Sequence, residues 1–168
     1  STSKISFPGA GVSALAASSA NIEVIKKRMT IQTIGYDKIN QLRHVNYFGS
    51  AEGVREHMKK HAAIIKPKFD IVLDVLNEYF GDSAVFKWTN PKGGYFISLD
   101  VAPGTAKRTV DLCKNAGVVL TGAGATYPYK NDPEDKNIRI APTFPSVDEL
   151  KLAAEILCVC AEIAYLEK

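Results

Sequence analysis

Long apolar runs are missing from this sequence. None approaches the ~20 residues that a helix needs to cross a bilayer. Ser1-Thr2-Ser3-Lys4 lacks the basic region and apolar stretch of a secretory leader. Cysteine is scarce. The three present, Cys113, Cys158 and Cys160, are an odd count without a secretory signal, which predicts reduced thiols and a cytoplasmic protein. No metal spacing surrounds them, so packing is the reading for Cys158-Val159-Cys160. Charge of one sign is also lacking. The net charge is +3, and the densest basic cluster, Lys26-Lys27-Arg28, is too short to argue for nucleic acid or a membrane surface. Repeats and low-complexity tracts are absent.

What is present has the pattern of a mixed α/β domain. Pro8, Gly9 and Gly11 forbid a regular helix over residues 1–12. Ser13 to Ala20 is small and helix-compatible, and Asn21 to Met29 continues it. Gly35 suggests a break before a loop or short helix. From Ser50 to Gly81, apolar residues including Val54, Met58, Ile65, Phe69, Val72, Leu76 and Phe80 recur at helical spacing. This predicts one long amphipathic helix with Ser50 as N-cap. Pro67 in its middle predicts a kink. A bent helix of this length suits an element that connects two domains.

Val85–Thr89 and Gly94–Val101 read as strands joined by the Asn90-Pro91-Lys92-Gly93-Gly94 connection. Thr105 to Ala116 reads as a helix with Val110, Leu112 and Cys113 inward and Gly117 just past its end. Val118–Leu120 and Asn137–Ala141 read as buried strands. Ser146-Val147-Asp148-Glu149 is a capping box opening a last helix that buries Leu150, Ala154, Leu157, Ala161 and Ala164 or Tyr165.

The segment Ser1-Thr2-Ser3-Lys4-Ile5-Ser6-Phe7-Pro8-Gly9-Ala10-Gly11 carries the most chemistry. An imine-forming lysine must be held rigidly with its ammonium form disfavoured, since only the neutral amine attacks an aldehyde. Neighbouring hydroxyls can hydrogen-bond a phosphate, and glycines let the backbone come close to a ligand. By itself such a lysine is more often a solvated surface residue. Ser1-x-x-Lys4 also spells a serine β-lactamase motif. That chemistry needs the motif at a helix start, which Pro8 and Gly9 exclude.

Four stretches in order carry a resemblance: residues 1–11, Asn40-Gln41-Leu42-Arg43-His44, Pro91-Lys92-Gly93-Gly94-Tyr95-Phe96, and Asn137-Ile138-Arg139-Ile140-Ala141-Pro142-Thr143-Phe144-Pro145. Together they are similar to fold-type I, pyridoxal-phosphate-dependent aminotransferases, most closely a divergent bacterial aspartate aminotransferase subgroup. The resemblance covers nearly the whole chain. It implies that Lys4 carries pyridoxal 5'-phosphate as a Schiff base and then shuttles a proton to and from the substrate α-carbon. Ser1 matches the position whose hydroxyl holds the cofactor phosphate, with Ser3 beside it. Many relatives carry an arginine eight residues after the lysine; here that position is Val12, so the phosphate charge would be met by Ser3, Ser6, Ser13 or residues outside this chain.

Arg139 matches the arginine for the substrate α-carboxylate, a planar two-pronged donor on a rigid strand. Arg43 and Lys38 fall where relatives reach towards the neighbouring subunit's site. Either could recognise a side-chain carboxylate, and a solvated cation is at least as good a reading.

The implied function is transamination of an amino acid, aspartate first, with a 2-oxo acid such as 2-oxoglutarate, in a homodimer. A lyase or decarboxylase using the same lysine, or a non-catalytic small α/β interaction domain, are the alternatives. The first residue is not methionine, and the opening segment reads as part of an active site. This predicts a C-terminal fragment of a longer polypeptide with little activity alone. The implied division is 1–49 as a remnant of the cofactor-binding large domain, 50–81 as an interdomain helix and 82–168 as the small domain. His57 and His61 have metal-ligand spacing, but Lys59 and Lys60 lie between them, and a solvated face is the preferred reading.

Overall fold

The computed structural model describes residues 1–168. The chain divides into two compact units, Ser1–Ala63 and Ile64–Lys168. In the first unit, α1 (Ser19–Gln32) begins only after Ser18, whose hydroxyl accepts from the Asn21 N–H. The Ser13 to Ala20 stretch is therefore mostly irregular, contrary to the helical expectation. Its serines and alanines offer no apolar stripe to bury, and Ser18 serves better as a cap than inside a helix. α2 (Lys38–Phe48) starts at Asp37, whose carboxylate accepts from Asn40 N–H at 2.8 Å.

α3 (Ala51–Phe80) is the predicted long helix. Ser50 caps it, its hydroxyl accepting from Gly53 N–H at 3.2 Å. Helical structure is continuous through Pro67. Lacking an N–H, that residue leaves the Ala63 carbonyl without its usual partner. The chain's two units also divide at Ala63.

The second unit holds the sheet and the core. β1 (Lys87–Trp88) and β2 (Ile97–Asp100) pair antiparallel, as the hairpin reading requires. α4 (Ala106–Asn115) follows and ends before Gly117, whose φ of 90° is the left-handed conformation expected there. β3 (Asn137–Ile140) pairs with β2 in the order β1-β2-β3, placing Arg139 opposite Ser98 on an edge strand. α5 (Val147–Leu166) opens with the full capping box between Ser146 and Glu149. Val72, Leu76 and Phe80 from α3, Ile97, Leu99 and Ile138 from the sheet, and Leu157, Cys158 and Ala161 from α5 make one core. Each large side chain buried here is worth roughly 1.5–3 kcal/mol over exposure.

Two further expectations change in detail, and one alternative is resolved. Val118–Leu120 is not a strand: it pairs with none of the three strands, Val118 N–H is used to close α4 on Cys113 O, and Val119 is 83% exposed. A three-residue apolar run does not make a strand without a neighbour to ladder with. In α4 the inward residues are Ala106, Thr109 and Cys113, with Val110 and Leu112 packed at the margin. Thr109 can be buried because its hydroxyl donates to Thr105 O at 2.9 Å. At the end of α5, Ala164 is buried and Tyr165 is not.

All three thiols are free and buried. Burial pushes Cys113 up to about 12, helped by the neighbouring Cys160 thiol, and burial likewise pushes Cys158 up to about 12. A thiol whose folded value is raised stabilises the fold fully below its unfolded value and loses that contribution as pH rises towards the folded one. Stability should therefore fall as pH rises from 9 towards 12. Urea midpoints across this range should fall less steeply in a Cys113→Ala/Cys158→Ala double variant; equal slopes would refute the assignment.

Candidate active site

The Lys4 turn is built by backbone bonds that its sequence permits. Thr2 N–H donates to Val12 O and Val12 N–H donates to the Thr2 hydroxyl, at 2.8 and 2.9 Å, closing residues 2–12 into a loop. Within it, the N–H groups of Ile5 and Ser6 both donate to Thr2 O at 2.8 Å, so the chain turns sharply over Lys4, which is exposed. Ser1 and Ser3 join Lys4 here, their hydroxyls 3.2 Å apart.

Gly11 passes so close to Ser3 that a Cβ on it would lie 3.0 Å from Ser3 Cβ. Only glycine fits that approach without displacement. Ser6 is different from the other hydroxyls. It is 3% exposed, and its Oγ is engaged by His44 and Thr2. The option that Ser6 meets a phosphate is therefore withdrawn. Val12 lines an apolar groove with Ile5, Val45, Phe48 and Val54.

Arg43 and Lys38 are both exposed on α2. His57 and His61 are not on a solvated face. Both are half-buried, His57 against the rings of Phe7, Tyr47 and Phe48, with His61 4.3 Å from it. Aromatic partners that arrive from other segments leave no trace in the spacing of the two histidines. No group of three or more His, Cys, Asp or Glu could hold a metal ion.

Arg139, in the second unit, is half-buried on β3. Its guanidinium carbon lies 4.4 Å from the centre of the Phe96 ring, and its Nε is buried without a hydrogen-bond partner. The salt bridges of the chain involve Arg55, Arg108 and several lysines, and none involves Arg139. A partly desolvated cation with no counter-charge is costly unless an anion comes to it. Stacking on Phe96 fixes the plane of the guanidinium and supplies part of the compensation.

Behind Arg139 the turn into α5 is held by Lys68, whose ammonium donates to Thr143 O at 3.0 Å, Phe144 O at 3.3 Å and Pro145 O at 2.5 Å. Beside it, Asn137 donates to Ser98 Oγ and Asp100 Oδ1 at 2.8 and 2.7 Å. Burial alone would raise Asp132, but N–H donation from Asn137, Lys136 and Glu134 holds it below the usual carboxylate range. The strand that carries Arg139 is thus pinned on both sides. Phe96, Lys68 and Asp132 drew no role in the sequence reading. Phe96 ends one of the resemblance stretches and directly precedes β2, whose register brings Ser98 opposite Arg139.

A family model described as aspartate amino-transferase matches residues 1–168, and the chain belongs to that family. It is 55% identical over 167 residues to a provisionally named aminotransferase of Mycolicibacterium smegmatis and 50% identical over 167 residues to an aspartate aminotransferase of Corynebacterium glutamicum; each match takes in 99% of this chain and 39% of the relative. A crystal structure of an aspartate transaminase from Corynebacterium glutamicum is similar with a TM-score of 0.94 and 50% identity, over 99% of this chain and 39% of that one. A multiple substrate aminotransferase from Thermococcus profundus shares the fold, with a TM-score of 0.86 at 20% identity, over 100% of this chain and 41% of that one. The chain thus spans about 39% of the length of the curated relatives it matches. No helix is long and apolar enough to cross a membrane.

Proposed function

We propose that this chain is the C-terminal part of a pyridoxal-phosphate-dependent aminotransferase that exchanges an amino group between aspartate and a 2-oxo acid such as 2-oxoglutarate. The observation that carries the reading is Arg139: a half-buried guanidinium, stacked on Phe96 and unpaired with any carboxylate of the chain. Such a group suits a small carboxylate ligand, which it can meet with two parallel hydrogen bonds.

The Lys4 turn fits the cofactor in its chemistry. It offers an exposed amine, the hydroxyls of Ser1 and Ser3, and a Gly11 backbone that a Cβ would crowd. When bound, pyridoxal phosphate would supply an electron sink for charge developing at the substrate α-carbon. Lys4 would hold the group through its amine and, once displaced by the substrate amine, take and return the α-proton. Ser1 and Ser3 would donate to the phosphate. Arg139 would orient the substrate through its α-carboxylate, and Arg43 would meet the side-chain carboxylate. The name of the Corynebacterium glutamicum relative supports aspartate as the amino donor.

We assign residues 1–49 to the end of the cofactor-binding domain, 50–81 to the interdomain helix and 82–168 to the small domain, in a homodimer. Exposed apolar side chains in the first unit, among them Ile31 at 86% and Ile34 at 107%, support its being covered in the working assembly.

Borohydride reduction of the full gene product with pyridoxal phosphate, followed by peptide mapping, tests the reading. The expected result is a single reduced adduct on Lys4. No adduct, or adducts scattered over surface lysines, would overturn it.

A further inference from the structure

One face of α2 grips both arms of the Lys4 loop. On the outgoing arm, Ser6 Oγ lies 2.8 Å from His44 Nε2, and Phe7 packs its ring against His44, Tyr47 and Phe48 with centroids 5.0, 5.1 and 5.6 Å apart. On the returning arm, the Asn40 side-chain amide donates to Ala10 O at 2.8 Å and more weakly to Gly11 O at 3.5 Å. Asn40 and His44 stand one helical turn apart, so they share a face. They are also linked to each other: His44 Nδ1 is 2.8 Å from Asn40 O.

That last contact fixes the chemistry of the ring. A carbonyl oxygen only accepts, so Nδ1 carries the hydrogen, and the neutral ring presents its Nε2 lone pair to the Ser6 hydroxyl. Ser6 is 3% exposed. Without His44 its hydroxyl could turn only to the more distant Thr2 oxygens at 3.1 Å. The turn over Lys4, closed by the Ser6 N–H on Thr2 O, is therefore anchored on one side by a buried, directional bond to α2 and on the other by Asn40.

From this arrangement we infer that His44 and Asn40 are positioning residues for Lys4. Their hydrogen bonds reach the loop at Ser6, Ala10 and Gly11. They set the backbone from which the Lys4 amine projects, as supporting hydrogen bonds do for a rigidly held reactive group. The inference deepens the reading of Lys4 as the cofactor-bearing lysine and rests on it for its functional meaning.

The test separates ring packing from hydrogen bonding. His44→Phe keeps an aromatic ring against Phe7 and Phe48 but removes both nitrogens. His44→Gln offers a side-chain carbonyl to the Ser6 hydroxyl. Two measurements on the full gene product, prepared without cofactor, carry the test: amide hydrogen exchange, and competitive acylation of Lys4 with the other lysines as internal standards. In His44→Phe the amides of Ile5, Ser6 and Val12 should exchange about tenfold faster or more, the equivalent of one net hydrogen bond. Lys4 acylation should depart from wild type by about twofold or more, a change in local setting rather than in global stability. Amides of α5 should not change.

His44→Gln should restore both values. Ser6→Ala, with its small side chain, should reproduce the Phe result and stands in should that variant not fold. Wild-type exchange and acylation in either variant, or no rescue by Gln in a folded chain, would overturn the inference. Borohydride trapping on the wild-type gene product is read separately. An absent adduct there defeats the cofactor reading, while the exchange and acylation data decide the positioning role.

Discussion

Replacing Lys4 by arginine is expected to cripple transamination in the full gene product, with a loss of at least about 10²-fold in the rate of amino-group transfer. Arginine keeps the positive charge and the reach of the side chain but stays protonated at any accessible pH. It cannot attack an aldehyde, and it cannot take the α-proton. General base catalysis alone contributes about 10²–10⁴-fold, so loss of the proton shuttle is sufficient for the predicted effect even if the cofactor is retained by other contacts. The measurement is a coupled assay of aspartate with 2-oxoglutarate, accompanied by absorbance spectra of the purified protein. The absorbance of a lysine-linked cofactor should be missing from the variant. Turnover within about tenfold of wild type would remove Lys4 from the chemistry, since it would leave less than the smallest general-base contribution.

Arg139→Leu is the second large effect. The guanidinium is half-buried, stacked on Phe96 and without an internal carboxylate, so its loss removes a charge-assisted pair with the substrate and costs the fold no ion pair. Truncating one partner of a buried charge pair costs about 2–5 kcal/mol, so kcat/KM for aspartate should fall by about 30- to 5,000-fold. Arg139→Lys should recover only part of this, because an ammonium cannot make two parallel bonds to a carboxylate or stack its plane on a ring. The diagnostic comparison uses an amine lacking the α-carboxylate. Wild type should prefer aspartate strongly over it, and Arg139→Leu should lose most of that preference. Unchanged discrimination would move the carboxylate site elsewhere. Thermal stability should stay near wild type, which distinguishes a binding defect from a folding one.

The two sites differ in how far the sequence reveals them. Lys4 stands out through the resemblance of residues 1–11 to the aminotransferase family; its local composition alone reads as a solvated surface lysine. The turn that carries it is closed by bonds between residues at most ten apart, Thr2 to Val12. Apart from the family resemblance, Arg139 is visible only as an arginine in a strand-like run. Its half-burial, its missing counter-ion and the Phe96 ring beneath it come from pairing β2 with β3, a contact between segments some forty residues apart. The same reason hides His44. Its partners Ser6 and Phe7 lie 38 and 37 residues earlier, so periodicity along α2 marks it only as one more polar residue.

The elements follow the same division. Helix ends written into a few adjacent residues were legible: Ser50 before α3, the Ser146–Glu149 box before α5, Gly117 after α4. The periodic apolar residues of α5 and of the C-terminal half of α3 likewise announced which face would be buried, whereas Met58 in the first half of α3 is 45% exposed. Val118–Leu120 misled because strand formation requires a neighbour, and three apolar residues do not say whether one is there. The histidines misled in the opposite direction. Spacing suggested only a metal or solvent, whereas rings contributed by residues 7, 47 and 48 half-bury them. By itself, then, the sequence determined the local structures, their caps and the residues of strongest chemistry, because each depends on interactions within a turn or two of the chain. Only the tertiary structure decided which polar groups share a hydrogen bond, which cation is left without an anion and which helix face holds the lysine loop. Those are set by contacts between distant segments, whose register no local pattern encodes.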